Sequence, residues 1–411
     1  MPLSQSERRL ADTIRASSTR LLDDLRTHVN LPTGGISAPA MDESVALFTR
    51  RLEKLGASVF LETGERPPSW LFSGAAEMSP RKVAICSKKS TGASRILISG
   101  HVDTVHEPDS RFRELTIAPD GKTATGPGCV DMKGGLVIAV AALEALEVCA
   151  IPCTWSFIFS TDEETGSYAA ERFLREQAKL HDVGLALEPA MADGGLVIER
   201  PGSGQFFIEA TGNPAHVGRD FKSGVSAIDA LVRAIPPISA LAAPDDGLIV
   251  SVGIIHGGTA TNIVPDSAKA WGNMRFSKHE QGEAAVRGIA SACKAAAGKA
   301  TIDVQSTLNR PAKPTTDGTM VLANLARVCA EDLGQKLPFG KTGGVCEGNN
   351  LQAEGLPTID TLGVRGGGLH TPQEWIDLSS LVERCQLLAI LMSRLSERPF
   401  QEWSKKQRSS N

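Results

Sequence analysis

The chain has 411 residues, of which 41% are hydrophobic and 22% charged, and its formal net charge is −4 at pH 7. This composition is typical of a globular protein, and the length predicts two domains rather than one. The acidic balance gives no basic patch for nucleic acid or a membrane surface, and no apolar stretch approaches the length of a bilayer crossing. Scattered cysteines and an N-terminus without an apolar signal segment favour a cytoplasmic protein with reduced thiols.

The first half of the chain has the pattern of an α/β protein. Apolar residues recur with helical spacing over Gln5–Asn30 and again over Met41–Leu55. Strand-like and helical runs then alternate, which indicates a mainly parallel sheet with helices on both faces. The predicted strands are Val83–Cys86, Ile96–Ser99, Trp155–Ser160 and Leu185–Leu187, and the predicted helices are Gly134–Leu146 and Tyr168–Gln177.

The pattern changes after Glu188. Residues 190–204 are rich in glycine and small side chains and are interpreted as a linker. The elements that follow have the order β-α-β-β-α-β, which is typical of a ferredoxin-like module. They are predicted at Gln205–Ala210, Val225–Ile235, Leu248–Ile254, Ala268–Phe276, Glu280–Ala297 and Thr301–Gln305.

The α/β pattern then returns. A helix is expected over Asp317–Leu333, with Asp317 as its N-cap and Gly334 as its stop. A strand at Thr358–Leu362 and a closing helix at Leu378–Leu395 follow. The sequence therefore predicts one domain from residues 1–198 and 312–411, interrupted by a smaller domain from residues 199–311.

Two polar residues, His101 and Asp103 in GHVDTV, follow the apolar run Ile96–Gly100 at alternating positions. Alternating positions of an extended chain share one side, and ligands of open α/β sheets bind beyond the carboxyl ends of the strands. His101 is expected to offer one ring nitrogen to a metal, while the Asp103 carboxylate takes the other ring N–H. Taken alone, the pair is equally compatible with an ordinary polar turn.

Four further segments carry acidic or imidazole side chains. Asp131 lies in GPGCVDMKGG just before a predicted helix, where it is placed either to bridge two cations or to cap the helix. Glu163 and Glu164 follow the strand TWSFIFS, so one is expected to bind metal while its neighbour faces a substrate. Glu188 in LALEPA and His370 in GGGLHTP complete the set.

Together these residues form a mixed nitrogen and oxygen ligand set for two divalent ions, with one carboxylate left over as a base, which suits hydrolysis. Zinc is favoured, and cobalt or manganese is compatible. A non-catalytic metal module is the alternative, but it needs no spare base. A nucleotide-binding enzyme is disfavoured, because neither G-x-x-x-x-G-K-[ST] nor a G-x-G-x-x-G after a strand is present.

The ordered set GHVDTV, GPGCVDMKGG, DEETGS, EP and LHTP resembles the M20 metallopeptidase family from about Ile96 to the C-terminal helix. That family includes glutamate carboxypeptidase, acetylornithine deacetylase, succinyl-diaminopimelate desuccinylase and aminoacylase. The resemblance implies a catalytic domain interrupted by a lid that also forms a homodimer. The implied roles are one metal on His101 and Glu188, a bridge at Asp131, the other metal on Glu164 and His370, and Glu163 as general base.

The inserted part carries further matches to the family. His216 in GNPAHVGRD matches a histidine that reaches the partner's active site in dimeric members and stabilises the oxyanion there. Asn262 and Arg275 in GGTATNIVPDSAKAWGNMRF match residues that contact the substrate carboxylate. Arg310 in NRPA matches a further basic position of the glutamate-releasing members.

The resemblance has one departure. Glutamate-releasing members have a lysine shortly after the segment equivalent to Glu188-Pro189, where this chain has Gly194-Gly195. Amide hydrolysis is therefore implied, but glutamate is not fixed as the released residue. The expected substrate is a small molecule, either a peptide with a C-terminal amino acid, cleaved as by a glutamate carboxypeptidase, or an N-acyl amino acid. A deacylase of the acetylornithine deacetylase or aminoacylase type is the alternative.

Overall fold

The computed structural model of the chain describes residues 2–35, 37–72 and 81–403. The helices in these ranges are Gln5–Ala16 (α1), Ser18–Val29 (α2), Ala38–Lys54 (α3), Lys133–Val148 (α4), Glu171–Ala178 (α5), Ala227–Ser239 (α6), His279–Ala296 (α7), Asp317–Asp332 (α8), Glu347–Ala353 (α9) and Ser379–Glu397 (α10). The strands are Ser58–Thr63 (β1), Lys82–Lys88 (β2), Arg95–His101 (β3), Thr116–Ile117 (β4), Thr123–Thr125 (β5), Thr154–Ser160 (β6), Val183–Ala186 (β7), Leu196–Glu199 (β8), Gly202–Thr211 (β9), Ala215–His216 (β10), Leu248–Gly257 (β11), Ile263–Val264 (β12), Ser267–Phe276 (β13), Thr301–Arg310 (β14), Phe339–Lys341 (β15), Thr358–Ile359 (β16), Gly366–Gly367 (β17) and Trp375–Asp377 (β18).

The main sheet has the strand order β1-β2-β6-β3-β7-β16. Strands β6, β3, β7 and β16 run parallel. At one edge, β2 pairs antiparallel with β6, and β1 pairs antiparallel with β2. The expected α/β fold is confirmed, although its sheet is mixed. Because parallel strands end at the same edge, the segments that follow β3, β6 and β7 meet there.

Helices cover both faces of this sheet, and the alternation of side chains along β3 shows why. Ile96 and Ile98 are fully buried in a core shared with α1, α2, α3, α4, α8 and α10. Leu97 points the other way, into a smaller core with residues of α5 and α9. A strand buried on both faces reads as a continuous apolar run, as the sequence of β3 does.

Residues 202–310, called here the inserted module, form a second sheet with the order β11-β13-β9-β14. All its pairings are antiparallel. Helices α6 and α7 pack on one face over a separate core that includes Phe206, Ile208, Leu231 and Ile289. The order β-α-β-β-α-β and this strand arrangement are those of a ferredoxin-like fold, as the sequence predicted.

Two sequence expectations differ from the structure. The predicted helix Gln5–Asn30 is two helices, α1 and α2, separated at Ser17, and both pack against α4 and α10. The predicted linker at residues 190–204 contains β8, which pairs in parallel with β15. Leu196 and Val197 are buried there, and the strand was not predicted because glycine and small residues flank its short apolar run.

The inserted module joins the rest of the chain through two segments that lie side by side. Arg200, just before the module, and Lys313, just after it, pair as an antiparallel bridge. Both side chains contact the buried Asp360, at 2.8 Å from the arginine and 3.2 Å from the lysine. Burial raises the pKa of Asp360, but the two cations outweigh it and hold that pKa below its usual range.

Two observations bear on the surroundings of the chain. No helix within the described residues is both long and apolar enough to span a bilayer. The cysteines are all unpaired. The cytoplasmic location itself stays a prediction.

The start of α8 corrects one predicted helix cap. Thr316, not Asp317, is the N-cap, because its side-chain oxygen accepts a hydrogen bond from the backbone N–H of Thr319 at 3.1 Å. The predicted stop is confirmed, since Gly334 follows the last turn in the left-handed region that glycine favours.

We expect Thr316→Ala to lower the free energy of unfolding by about 1 kcal/mol, since the start of α8 loses the acceptor for the Thr319 N–H. Asp317→Ala is the matched control, and it should cost no more than about 0.5 kcal/mol, because Asp317 is exposed in the first turn of α8, where its charge interacts favourably with the helix dipole. Urea denaturation followed by circular dichroism measures both. Equal losses would contradict the assigned cap.

Candidate metal centre and active site

His101, the last residue of β3, presents one ring nitrogen to the carboxyl edge of the main sheet. Its Nδ1 lies 2.9 Å from the backbone carbonyl oxygen of Asp103, and a carbonyl only accepts, so Nδ1 carries the proton. In the neutral imidazole, Nε2 then has the free lone pair, and it faces the acidic residues. The expected partner of Nδ1 was the Asp103 carboxylate, but that group lies farther away, at 3.5 Å.

The Asp103 carboxylate holds a different part of the site. Its two oxygens accept the backbone N–H groups of Glu163 at 3.2 Å and of Glu164 at 2.9 Å. These two glutamates begin a single turn of 3-10 helix, Glu163–Thr165, directly after β6. Asp103 thereby fixes the turn from which both glutamate side chains project, while its own backbone orients His101.

Asp131 lies between the two candidate imidazoles. Its Oδ1 is 3.4 Å from Nε2 of His101, and its Oδ2 is 3.6 Å from Nε2 of His370. Glu188 approaches the first imidazole, with Oε1 4.0 Å from Nε2 of His101. Glu164 approaches the second, with Oε2 3.4 Å from Nε2 of His370. All five residues predicted as ligands therefore come together, arranged as two half-sites that share Asp131.

These separations fit metal coordination. A tetrahedral ion with bonds of about 2.1 Å separates its ligand atoms by about 3.4 Å. Potential ligand atoms of His101, Asp131 and Glu164 all lie within 4.8 Å of one another. Oδ1 of Asp131 is buried and has no hydrogen-bond partner of ordinary geometry among the described residues. The residues present are therefore suited to hold divalent cations.

The electrostatics of the site have the signature of an acidic cluster. Burial raises the pKa of Glu164, and the neighbouring Asp131 charge raises it further, to about 10. Burial and Asp131 likewise raise the pKa of Glu188. Burial also opposes ionisation of Asp131, but contacts with His101 and His370 outweigh it and lower the Asp131 pKa. A cation would replace the protons that relieve this repulsion.

Glu163 is not part of either half-site. Its Oε1 is 2.7 Å from Nη2 of Arg310, a side chain that is only 2% exposed. The same nitrogen is 2.7 Å from the Ser167 hydroxyl, and Nη1 donates to Asn350 at 2.9 Å. Arg310 was predicted to contact the substrate, a role that stays a prediction; here its guanidinium is committed to Glu163. Neither Ser167 nor Asn350 was expected from the sequence, in which each is an ordinary polar residue.

The remaining predicted residues lie on the inserted module. His216 ends β10 and is exposed, and the chain beside it pairs with Asn262, whose carbonyl accepts the Val217 N–H at 3.0 Å. Neither side chain has a hydrogen bond or ion pair to the two half-sites within the described part of the chain. Arg275 is half-buried on β13, where it contacts the side chains of Ser203 and Asn273.

A profile of peptidase family M20/M25/M40 matches residues 97–394. Carboxypeptidase G2 of Pseudomonas sp. is 30% identical over 316 residues, which cover 75% of this chain and 75% of that protein. The chain belongs to the M20 family. As such it is a hydrolase of the metallopeptidase and amidohydrolase class.

Two further comparisons place this M20 chain. A succinyl-diaminopimelate desuccinylase of Shewanella loihica is 25% identical over 327 residues, which cover 74% of this chain and 86% of that protein. The solved structure of a tripeptidase from Staphylococcus aureus superposes with a TM-score of 0.74 at 21% identity, over 93% of this chain and 99% of that one. The likeness to the tripeptidase shows that the fold is shared.

The acidic cluster predicts that metal uptake by this M20 chain depends on pH. A carboxyl group with a pKa of about 10, as for Glu164, is protonated at neutral pH and must lose its proton to bind a metal. We expect metal binding at neutral pH to release protons and metal affinity to fall as pH falls. Titration calorimetry in two buffers of different ionisation enthalpy measures the release.

Two variants calibrate that measurement. Glu164→Gln should release about one proton fewer per chain, because it removes a protonated ligand. Glu171→Gln should leave the release unchanged, because Glu171 pairs with Arg175 on α5 and contacts neither half-site. Identical heats for the wild type in both buffers would contradict the expected protonation.

Proposed function

We propose that the chain hydrolyses the amide bond of a small peptide or N-acyl amino acid at a centre of two divalent metal ions. One observation carries the proposal. Asp131 lies between His101 and His370 at tetrahedral spacing, while Glu163 lies beside the cluster and outside both half-sites. A set of metal ligands with a further carboxylate beside it that does not bind the metal suits metal-assisted hydrolysis.

The donor set indicates which ions would be held. His101, Glu188 and Asp131 would bind one, and Asp131, Glu164 and His370 the other. Imidazole and carboxylate donors favour zinc, and cobalt and manganese fit the same set. Bound there, the ions would supply Lewis-acid polarisation of the carbonyl and lower the pKa of water towards about 7.

Glu163 is the proposed general base. It would accept a proton from the attacking water and deliver that proton to the nitrogen of the leaving amine. Arg310, which donates to Oε1 of Glu163, fixes the direction of the carboxylate and leaves its other oxygen for proton transfer. The Asp103 carboxylate accepts the backbone N–H of Glu163 and so helps to hold the position of this residue.

The inserted module is the proposed recognition part, a lid that closes over a small substrate. Arg275 is desolvated, and burial is the one cause that lowers its pKa, so no neighbouring carboxylate neutralises it within the described residues. It is therefore suited to hold the free carboxylate of the substrate, together with Asn262. His216 would contact the carbonyl oxygen as it gains negative charge. Among the described residues, His216 has no hydrogen bond or ion pair to the half-sites of its own chain, and we propose that it acts in the active site of a partner subunit.

The relatives suggest two classes of substrate, peptides and N-acyl amino acids. Carboxypeptidase G2 and the desuccinylases both cleave, by their names, substrates with a carboxylate, which fits a cationic clamp at Arg275. Gly194 and Gly195 themselves carry no side chain, so neither supplies the cation that the lysine of glutamate-releasing members does; the nearby Arg384 donates to the Gly194 carbonyl at 3.0 Å. We therefore favour release of an amino acid without assigning glutamate. A deacylase acting on N-acyl amino acids is the second candidate.

A substrate panel tests the reaction. The metal-free protein, reloaded with Zn²⁺, Co²⁺ or Mn²⁺, is assayed for amine release from dipeptides and from acetyl, succinyl and benzoyl amino acids. We expect Glu163→Gln to bind metal as the wild type does and to lower kcat by about 100- to 10,000-fold, because proton transfer is lost. Metal content by elemental analysis accompanies the rates.

Glu171→Gln is the control for removing an acidic group from the same region. Glu171 is half-buried, pairs with Arg175 on α5 and contacts neither half-site. It should leave kcat and KM near their wild-type values. Full turnover by Glu163→Gln would refute the assigned base, and a metal-loaded wild type inactive on every substrate of the panel would refute the proposed reaction.

Mixing two inactive variants tests the homodimer. If His216 acts across the dimer, a mixed dimer of His216→Ala and Glu163→Gln has one intact active site, formed by Glu163 of one subunit and His216 of the other. Half of randomly reassociated dimers are mixed, so activity should return to about a quarter of the wild-type value. Absence of any recovery, with subunit exchange shown by mass, would place His216 in its own subunit's site or outside catalysis.

A further inference from the structure

A buried glutamate lies behind the loop that carries Asp131. Glu374 is 1% exposed, and its carboxylate accepts three backbone N–H groups of one loop. Oε2 binds the N–H of Gly128 at 2.9 Å, while Oε1 binds those of Val130 at 2.9 Å and of Asp131 at 3.1 Å. The last of these is the backbone of the residue shared by the two half-sites.

Two backbone hydrogen bonds also shape this loop, from the Cys129 N–H to the Gly126 carbonyl at 3.1 Å and from the Lys133 N–H to the Gly128 carbonyl at 2.9 Å. The loop lies between β5 and α4 and forms no strand, and Gly128 has a φ of +72°, in the left-handed region. Successive N–H groups that converge in this way form a concave site for an anion. Here the anion is a side chain of the protein itself, and it is fully enclosed.

The segment that supplies Glu374 also supplies His370. The two residues belong to the turn between β17 and β18, which is closed by hydrogen bonds from Thr371 N–H to Gly368 and from Glu374 N–H to Thr371. The carbonyl of Glu374 in addition accepts the N–H of Gly126 at 3.3 Å. Glu374 therefore ties the turn bearing one candidate ligand to the loop bearing another.

The Glu374 carboxylate has a fourth hydrogen-bond donor. Nε2 of His106 lies 2.7 Å from Oε2 of Glu374, and the imidazole packs edge-on against Phe112 with ring centroids 5.0 Å apart. Four donors on two oxygens leave the carboxylate a single orientation. The cluster lies outside both half-sites, and the proposed mechanism does not use it.

We propose that Glu374, held by His106, is a positioning residue that sets the spacing between Asp131 and His370. The inference rests on the proposed two-metal centre. The 3.6 Å between Oδ2 of Asp131 and Nε2 of His370 joins side chains from the two segments that Glu374 connects. Loss of this connection should therefore loosen the half-site that contains His370 more than the one that contains Glu188.

Metal titration separates this role from a general contribution to stability. Metal-free wild type and Glu374→Gln are titrated with Co²⁺, and each ion is followed by its visible absorption and by calorimetry. The spectral change absent from His370→Ala identifies the ion of that half-site. We expect Glu374→Gln to weaken this ion by about 10- to 100-fold, as is typical for groups that orient metal ligands, and to change the other ion much less.

Two further variants keep the test decisive. Glu7→Gln is the matched control, since Glu7 is 5% exposed and binds the Ser4 N–H and Arg394 but contacts no candidate ligand. It should bind both ions normally even if it melts earlier. His106→Leu removes one donor and leaves the three backbone contacts, so it should weaken the same ion by several-fold, and it decides the question if Glu374→Gln does not fold.

The outcomes are distinct. Wild-type affinity for both ions in folded Glu374→Gln, or in His106→Leu where the first variant is unfolded, would overturn the positioning role. Uptake of one ion by the wild type would instead contradict the proposed two-metal centre. Weakening of the His370-side ion well beyond that of the other ion in Glu374→Gln, with neither weakened in Glu7→Gln, supports the role, and equal weakening of both ions contradicts it.

Discussion

The structure depends on bringing several carboxylates together at a buried edge of a sheet. Two like charges about 4 Å apart repel by about 4 kcal/mol at the effective dielectric constant of a protein surface, and burial adds to this. Burial raises the pKa values of Glu164 and Glu188, and repulsion from the neighbouring Asp131 charge raises them further. Such an arrangement is sustained by bound protons or by cations. The separations around Asp131 fit cations, and membership of the M20 family agrees with that reading.

The arrangement follows from topology more than from local sequence. Parallel strands β3, β6 and β7 end together, so residues distant in the chain become neighbours. Their runs are apolar because both faces of the sheet are covered, and this is why the ends of the runs were readable from the sequence. The ligand candidates could be predicted because each one follows such a run or lies in a glycine-rich turn.

Other features could not be read from the sequence, because they depend on contacts between distant segments. The Asp103 carboxylate binds backbone N–H groups rather than the imidazole, a choice that the alternating pattern in GHVDTV does not reveal. Arg310 contacts Glu163 across the boundary of the inserted module. Glu374 is separated from its loop by more than two hundred residues along the chain. The predicted N-cap of α8 was wrong by one residue, because Thr316 and Asp317 are neighbouring polar residues and either could cap the helix.

The bridge between Arg200 and Lys313 has a consequence for how such an enzyme diversifies. The chain enters and leaves the inserted module at neighbouring positions, because the residues that flank the module pair with each other. Lengthening a closed loop twofold costs only about 0.6 kcal/mol of entropy. The whole module is therefore exchangeable during evolution with little effect on the main sheet, and under the proposed function selectivity and bond-breaking chemistry can change independently.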